Sequence, residues 1–314
     1  MSKVFFRSVV ALATVAFAAC GSSDDSEDTS TNTGSSVVQS VKVSFSGALQ
    51  IDPVSWGVNQ QVVANGGTAL SFTNDVTIEI VSGGAVAAAG TAAPALGSVA
   101  VDPASCQPST TFGFQCAFTV ADVDLTKAAL GIVALIKDGR DSPQFVLTNS
   151  GIFGGTTLAA SIEAGADIEN VNLFVISKEA LTQYAPYTAA DNGGTALTAD
   201  EIVARGFMFG LTLAETTLAP VGGVAVTSAS DAIDLYFPQA ADTGNVTATK
   251  TDALTGFFFG VAQAGEGVNT KLSAFSAVAD GGECFAAIPT FGTTANIGGI
   301  LPWVQSEASA CAAE

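Results

Sequence analysis

The sequence predicts an all-β protein: two Greek-key-type β-sandwich domains joined by a short, partly helical connector. Three observations predict it. From Val37 onward, short apolar or alternating stretches rich in Val, Ile, Phe and Thr are punctuated by Gly, Asn, Asp and Pro, the signature of strands and turns. Helix-start signals are few and fall between two strand-rich blocks. No apolar run after Cys20 reaches the length of about 18 residues that a membrane-spanning helix needs. At 314 residues the chain has room for two ordinary domains.

The strands expected in the first block are Ser40–Gln50, Asp75–Val81, Phe112–Val120, Gly131–Lys137 and Phe145–Asn149, with Asn172–Ile176 following. Each is bounded by turn residues and short enough for a sandwich. Ser177 can cap a helix running to Tyr184, and Thr198-x-x-Glu201 is a capping box that opens a helix toward Arg205. The second block carries Phe207–Leu213, Gly223–Ser228, Asp234–Phe237, Val246–Lys250, Gly256–Ala262 and Lys271–Ala277. The division that follows is an export signal at residues 1–19, a tether at 20–36, a sandwich at 37–155, a connector at 156–204, a second sandwich at 205–288 and a C-terminal segment at 289–314.

Lys3 and Arg7 precede a mostly apolar run, Ser8 to Phe17, and then the small residues Ala18 and Ala19, the layout of a secretory signal. Phe17-Ala18-Ala19-Cys20 resembles the lipobox of bacterial lipoproteins, with Phe17 where Leu is usual. That resemblance implies cleavage before Cys20 and lipidation of its thiol. Gly21–Ser36 contains no apolar side chain, so it cannot offset its ordering entropy. It is expected to be a disordered tether of roughly 20 to 25 Å reach. Gly21 in place of Asp after the lipidated residue points to the outer membrane.

Four further cysteines, Cys106, Cys116, Cys284 and Cys311, would meet an oxidising compartment after export. Three pairings are possible. Cys106 and Cys116 close a hairpin-sized loop while Cys284 and Cys311 share the C-terminal end, so Cys106–Cys116 and Cys284–Cys311 are the expected disulfides. A reactive or metal-binding thiol cluster would need closer spacing.

In the second block, the strand Phe207–Leu213 is followed by Pro220-Val221-Gly222-Gly223-Val224-Ala225-Val226 and then by Thr251-Asp252-Ala253-Leu254-Thr255-Gly256-Phe257-Phe258-Phe259. This order of strand, Pro-x-x-Gly-Val-x-Val and a Thr-Asp turn reaching Gly and Phe resembles the carboxypeptidase regulatory-like domain, a transthyretin-like β-sandwich. One extra residue before Gly256 and the insert Thr227–Lys250 depart from that pattern. The resemblance covers about a quarter of the chain and implies a module without an active site of its own. The first block carries a fainter echo in Val76–Val81 and in Gly113–Phe118.

Ten Lys and Arg against 29 Asp and Glu leave a net charge of −19, a field that repels phosphate, so no nucleic-acid partner is expected. The sequence holds no His, which excludes His-based nucleophilic triads and imidazole zinc sites. Asp242-Thr243-Gly244 matches half of an aspartic-protease pair, but that chemistry needs two such carboxylates. Asp122 with Asp124, Asp138 with Asp141, and Asp231 with Asp234 are oxygen donors of the kind Ca²⁺ takes, without EF-hand order. Acids at strand ends are ordinarily solvated, so no metal and no cofactor is assigned. Trp56, Trp303, Tyr184, Tyr187 and Tyr236 would make a sugar-binding platform if exposed together, though they are scattered along the chain.

The reading that follows is a non-catalytic, membrane-anchored lipoprotein of the cell envelope, acting as a binding, adhesion or scaffold module on an unidentified protein or glycan. The alternatives are a secreted hydrolase working with carboxylates alone, or a carbohydrate-binding lipoprotein.

Overall fold

The computed structural model describes residues 42–109, 113–128, 131–151, 165–214, 219–228, 232–239, 247–264, 275–280, 283–287 and 296–310. Cys20, the export signal, the tether, Asp231, Asp242-Thr243-Gly244 and Cys311 lie outside them. Strands dominate and pack as sandwich layers, the all-β class read in the sequence.

The first layer is a four-stranded sheet of order β4-β5-β1-β8, where β1 is Lys42–Ile51, β4 Cys106–Ser109, β5 Gly113–Asp124 and β8 Ile168–Val175. β1 is antiparallel to β5 and parallel to β8, so it is paired along both sides. β8 lies inside the stretch read as a connector. Facing this sheet are β2 (Val76–Ser82), β3 (Ala95–Ala100), β6 (Ile132–Asp138) and β7 (Thr148–Ser150). Period-two alternation turns Val76, Ile78 and Ile80 of β2 inward, where they meet Phe45, Leu49 and Ile51 of β1 and Val120 of β5 in one buried cluster. On the other face of β2, Glu79 pairs with Lys137 of β6 across 2.5 Å.

In the second block, β9 (Phe207–Leu213) and β12 (Phe257–Ala262) are antiparallel and buried on both faces. That is why Phe257-Phe258-Phe259 reads as an unbroken apolar run. Phe207, Phe209, Phe257 and Phe259 project to one side, into a cluster with Ile176, Leu181 and Ile202. Met208 and Phe258 project to the other side, against Val224, Val226 and Ala277. Those partners come from β10 (Val224–Ser228) and β13 (Phe275–Ala279), while β11 (Ile233–Tyr236) pairs with β12. β14 (Glu283–Ala287) pairs with β15 (Gly298–Ala310).

β15 joins the two blocks. Its residues Gly298–Ile300 run parallel to Thr148–Ser150 of β7, and Gly298–Val304 run parallel to Phe207–Leu213 of β9. One eleven-stranded sheet therefore extends from β3 in the first block to β10 in the second.

Two helices not anticipated from the pattern are present, α1 (Pro53–Ala64) and α2 (Gly83–Ala89). α1 is rich in Val, a residue that favours strands, yet Asp52 caps its N-terminus and Pro53 occupies its first turn, a start signal that outweighs propensity. α3 (Lys178–Tyr184) begins at the Ser177 cap. α4 (Ala199–Arg205) begins at the Thr198–Glu201 capping box, with both reciprocal hydrogen bonds formed. The strand expected over Val246–Lys250 is corrected. Val246 is outside the described residues, and Thr247–Lys250 form turn and irregular backbone, whose Lys250 carbonyl accepts from the Gln239 side chain rather than from a neighbouring strand.

Candidate functional site

The aromatic cluster of the second block is covered by α1 and α3, and beside them lies a groove of about 330 Å³. Its floor is aromatic. Tyr184, the last residue of α3, sits with its ring 5.0 Å from that of Phe257 and 6.3 Å from that of Tyr187. Behind them Tyr236 stacks on Phe259 at 4.8 Å. One wall is the exposed side of α1, with Pro53, Val54, Gly57 and Gln61. The other is built by Pro220, Pro238, Gln239 and the turn carrying Leu254 and Thr255.

That turn is the Thr-Asp segment singled out in the sequence. The Leu254 amide donates to Asp252 Oδ1 at 2.8 Å, and the Gly256 amide donates to the Asp252 carbonyl at 2.8 Å. Gly256 has φ +57°, and a Cβ there would lie 2.5 Å from the Thr212 carbonyl oxygen, so the turn requires glycine. Leu254 is left 73% exposed at the rim, a large apolar side chain turned to solvent beside an aromatic floor.

None of the groove's lining residues is charged at neutral pH, although the chain carries −19 overall. Polar capacity comes from Gln61, Gln183, Gln239, Thr255, Tyr184 and Tyr187. Gln239 donates from Nε2 to the carbonyls of Phe237 (2.9 Å) and Lys250 (3.1 Å), which uses both amide hydrogens and holds the side chain in one orientation. Its Oε1 accepts nothing from the described residues. The Tyr184 hydroxyl likewise makes no hydrogen bond among them.

Below the α1 wall lies Asp52, 3% exposed. Its Oδ1 accepts from the amides of Val54 (3.0 Å) and Ser55 (3.1 Å), while its Oδ2 is buried without a hydrogen-bond partner. Burial pushes its pKa up to about 6 against the lowering effect of the Ser55 side chain and of those two amides. Burial and the Asp52 charge together push the Tyr184 phenol up to about 12, so it stays a neutral donor. Tyr236 is raised further, by burial and by the nearby charges of Asp191 and Asp234.

Of the residues singled out by sequence, Tyr184, Tyr187 and Tyr236 are brought together and Trp56 is not, but Tyr187 and Tyr236 are buried, so only Tyr184 is partly open to solvent and the exposed platform does not form. Trp56 packs on the cluster between the first sheet and β2. Trp303 falls on β15. Cys106 and Cys116 face each other across β4 and β5 and form a disulfide. Cys284 is on β14.

One acid of each pair is already held by the protein itself, while Asp122 and Asp141 are exposed. Asp124 accepts from the Thr126 amide and hydroxyl beside Lys127. Asp138 is held by Arg140 and by the amides of Gln144 and Phe145, and Asp234 accepts from Gln263. Among the described residues no group of three or more acids and cysteines is placed to hold a metal ion. Sequence reading missed Asp52 and the three glutamines. For Asp52 a signal existed, Asp before Pro at the end of a strand; a glutamine carries none.

No family model matches the chain, and no curated protein matches it. Among solved structures it is similar to the shaft pilin SpaA from Lactobacillus rhamnosus GG, at 13% identity over 85% of this chain and 99% of that one, with a TM-score of 0.20. A double mutant of the same pilin gives 13% identity, 85% and 98% coverage and a TM-score of 0.20. At such a score two chains do not share an overall superposition.

Proposed function

We propose that the chain is an exported, non-catalytic binding module of the cell envelope, held at the outer membrane by a lipid on Cys20. The observation that carries the binding reading is the groove. Its lining is Pro, Val, Gly, Leu, Gln, Thr, Tyr and Phe, side chains that hold a ligand by contact and hydrogen bonding without exchanging protons at neutral pH. The lipobox-like run and the apolar-free Gly21–Ser36 segment support the anchor, since they would set the folded part off from a membrane surface. The local geometry of the second block supports a carboxypeptidase regulatory-like sandwich: Val224 and Val226 are buried, and a Cβ on Gly222 would lie 2.2 Å from Ala253. A second disulfide, Cys284–Cys311, completes the reading.

Detergent partitioning of the wild type and Cys20→Ala tests the anchor. The wild type is expected in the detergent phase and the variant in the aqueous phase, because acyl chains contribute about 0.8 kcal/mol per buried CH₂. Equal release into water overturns the anchor. Turnover of a peptide or glycan library by the purified chain overturns the non-catalytic reading.

A further inference from the structure

We propose that the groove between α1, α3 and the Asp252–Gly256 turn binds an uncharged oligosaccharide, with a sugar ring against Tyr184 and its hydroxyls paired to the glutamine amides. The inference rests on the reading of this groove as a ligand site and specifies what the site takes. Three features select the class.

The first is charge. In a chain of net charge −19, a groove without a single cationic lining residue disfavours phosphates, uronates and acidic peptides, and without a carboxylate of its own it has no counter-ion for a cationic ligand. The second is the polar set. Gln239 presents a fixed acceptor because both its amide hydrogens are already committed, and Tyr184 presents a neutral phenol with no partner among the described residues. Exposed Gln61 and Gln183 add an amide donor and acceptor each on the facing helices. Vicinal hydroxyls, each a donor and an acceptor, match that mixture. The third is the apolar surface. Tyr184, only partly buried, and the exposed Leu254 offer flat and aliphatic faces to the C–H face of a pyranose ring.

At about 330 Å³ the groove lies at the lower end of the range of small-ligand sites, about 300 to 1,000 Å³. A proline-rich peptide would use the aromatic and proline surfaces but would offer few donors to the amides, since proline has no N–H.

Isothermal titration of the full chain at pH 7 with maltotriose, cellotriose and the trisaccharide of N-acetylglucosamine tests the proposal, beside trigalacturonate and an oligoproline octamer. At least one neutral trisaccharide is expected to bind and trigalacturonate is not. Tyr184→Ala should weaken that binding on the order of tenfold, and Gln239→Ala by severalfold. Because Tyr184 also packs in the core, the exposed-rim pair Gln183→Ala with Leu254→Ser serves as a second variant with unchanged thermal melting, and it too should weaken binding.

Binding by oligoproline with no response to neutral sugars overturns the glycan proposal and leaves the binding-module reading standing. Sugar binding unchanged in both the Tyr184 variant and the rim variant overturns the site. No binding by any of the five, with library turnover detected instead, overturns both.

Discussion

Two buried aspartates, one in the first sandwich and one beneath the groove, meet opposite fates. Asp138 closes β6 with its side chain fully buried, and Arg140 answers it with Nε at 2.7 Å and a second, shorter Nη2 contact. Gln144 and Phe145 add amides at 2.8 and 3.0 Å. The guanidinium is itself anchored by the Ser71 carbonyl and Gln144 Oε1 and lies over the Phe145 ring. Burial alone would raise the Asp138 pKa, but the guanidinium and amides outweigh it and the carboxyl is held below its usual range. Asp52 has the Ser55 side chain, two amides and no cation, and burial wins. A carboxylate's helix-capping role and its charge are thus separable: one site is completed electrostatically, the other only geometrically.

The largest effect that would sharpen this contrast is expected from Arg140→Ala. Removing the cation leaves Asp138 charged and buried, so the variant should lose about 3 to 5 kcal/mol in urea unfolding at pH 7. A loss under about 1 kcal/mol would mean that the amides suffice and the contrast is overstated.

The second effect is a pH dependence of opposite sign at the two sites. The Asp52 folded pKa lies above the ordinary carboxyl value of 3.8, so the native state holds a proton that the unfolded chain releases. Its contribution is complete below about 3.8 and is lost as pH rises through about 6, a change of about 3 kcal/mol in all. The Asp138 contribution runs the other way, present above its unfolded value and lost as pH falls through its depressed folded pKa. Subtracting the stability profile of Asp52→Asn from that of the wild type isolates the first component. A flat difference between pH 4 and 7 would show that Asp52 is not buried as a charge.

Comparing Asp52→Ala with Asp52→Asn separates cap from charge. Asn keeps an N-cap acceptor and Ala does not, so the Ala variant should be less stable than the Asn variant by about 1 kcal/mol at every pH. Equal stabilities would mean that α1 is held by packing alone.

The smallest effect concerns screening. Raising salt from 0.1 to 1 M should leave the Arg140–Asp138 contribution nearly unchanged. The exposed Lys250–Asp280 pair should lose no more than a few tenths of a kcal/mol, read by a double-mutant cycle at each salt concentration.

What could be read in advance was local. The caps at Ser177 and Thr198 are visible because each satisfies an amide two or three residues away. The Cys106–Cys116 bridge is visible because a ten-residue separation suits adjacent hairpin strands. The Asp252–Gly256 turn is visible because glycine marks positive φ. α1 was masked because its β-branched composition speaks for a strand while a single Asp-Pro step speaks for a helix. The groove was illegible for a different reason: Gln61, Gln183 and Gln239 belong to separate elements, and nothing in their own neighbourhoods says that they converge.

By itself, the sequence determined the alternation that makes strands, the turns between them and the helix starts, all set by interactions within a few residues. The tertiary structure alone decided that β15 lies between β7 and β9, that β8 lies beside β1, and that α1 and α3 line one groove at Tyr184. Alternation tells which face of a strand is buried but not which strand lies beside it. Parallel partners are joined through long connections, and their choice is settled by how apolar faces from distant segments fill one core.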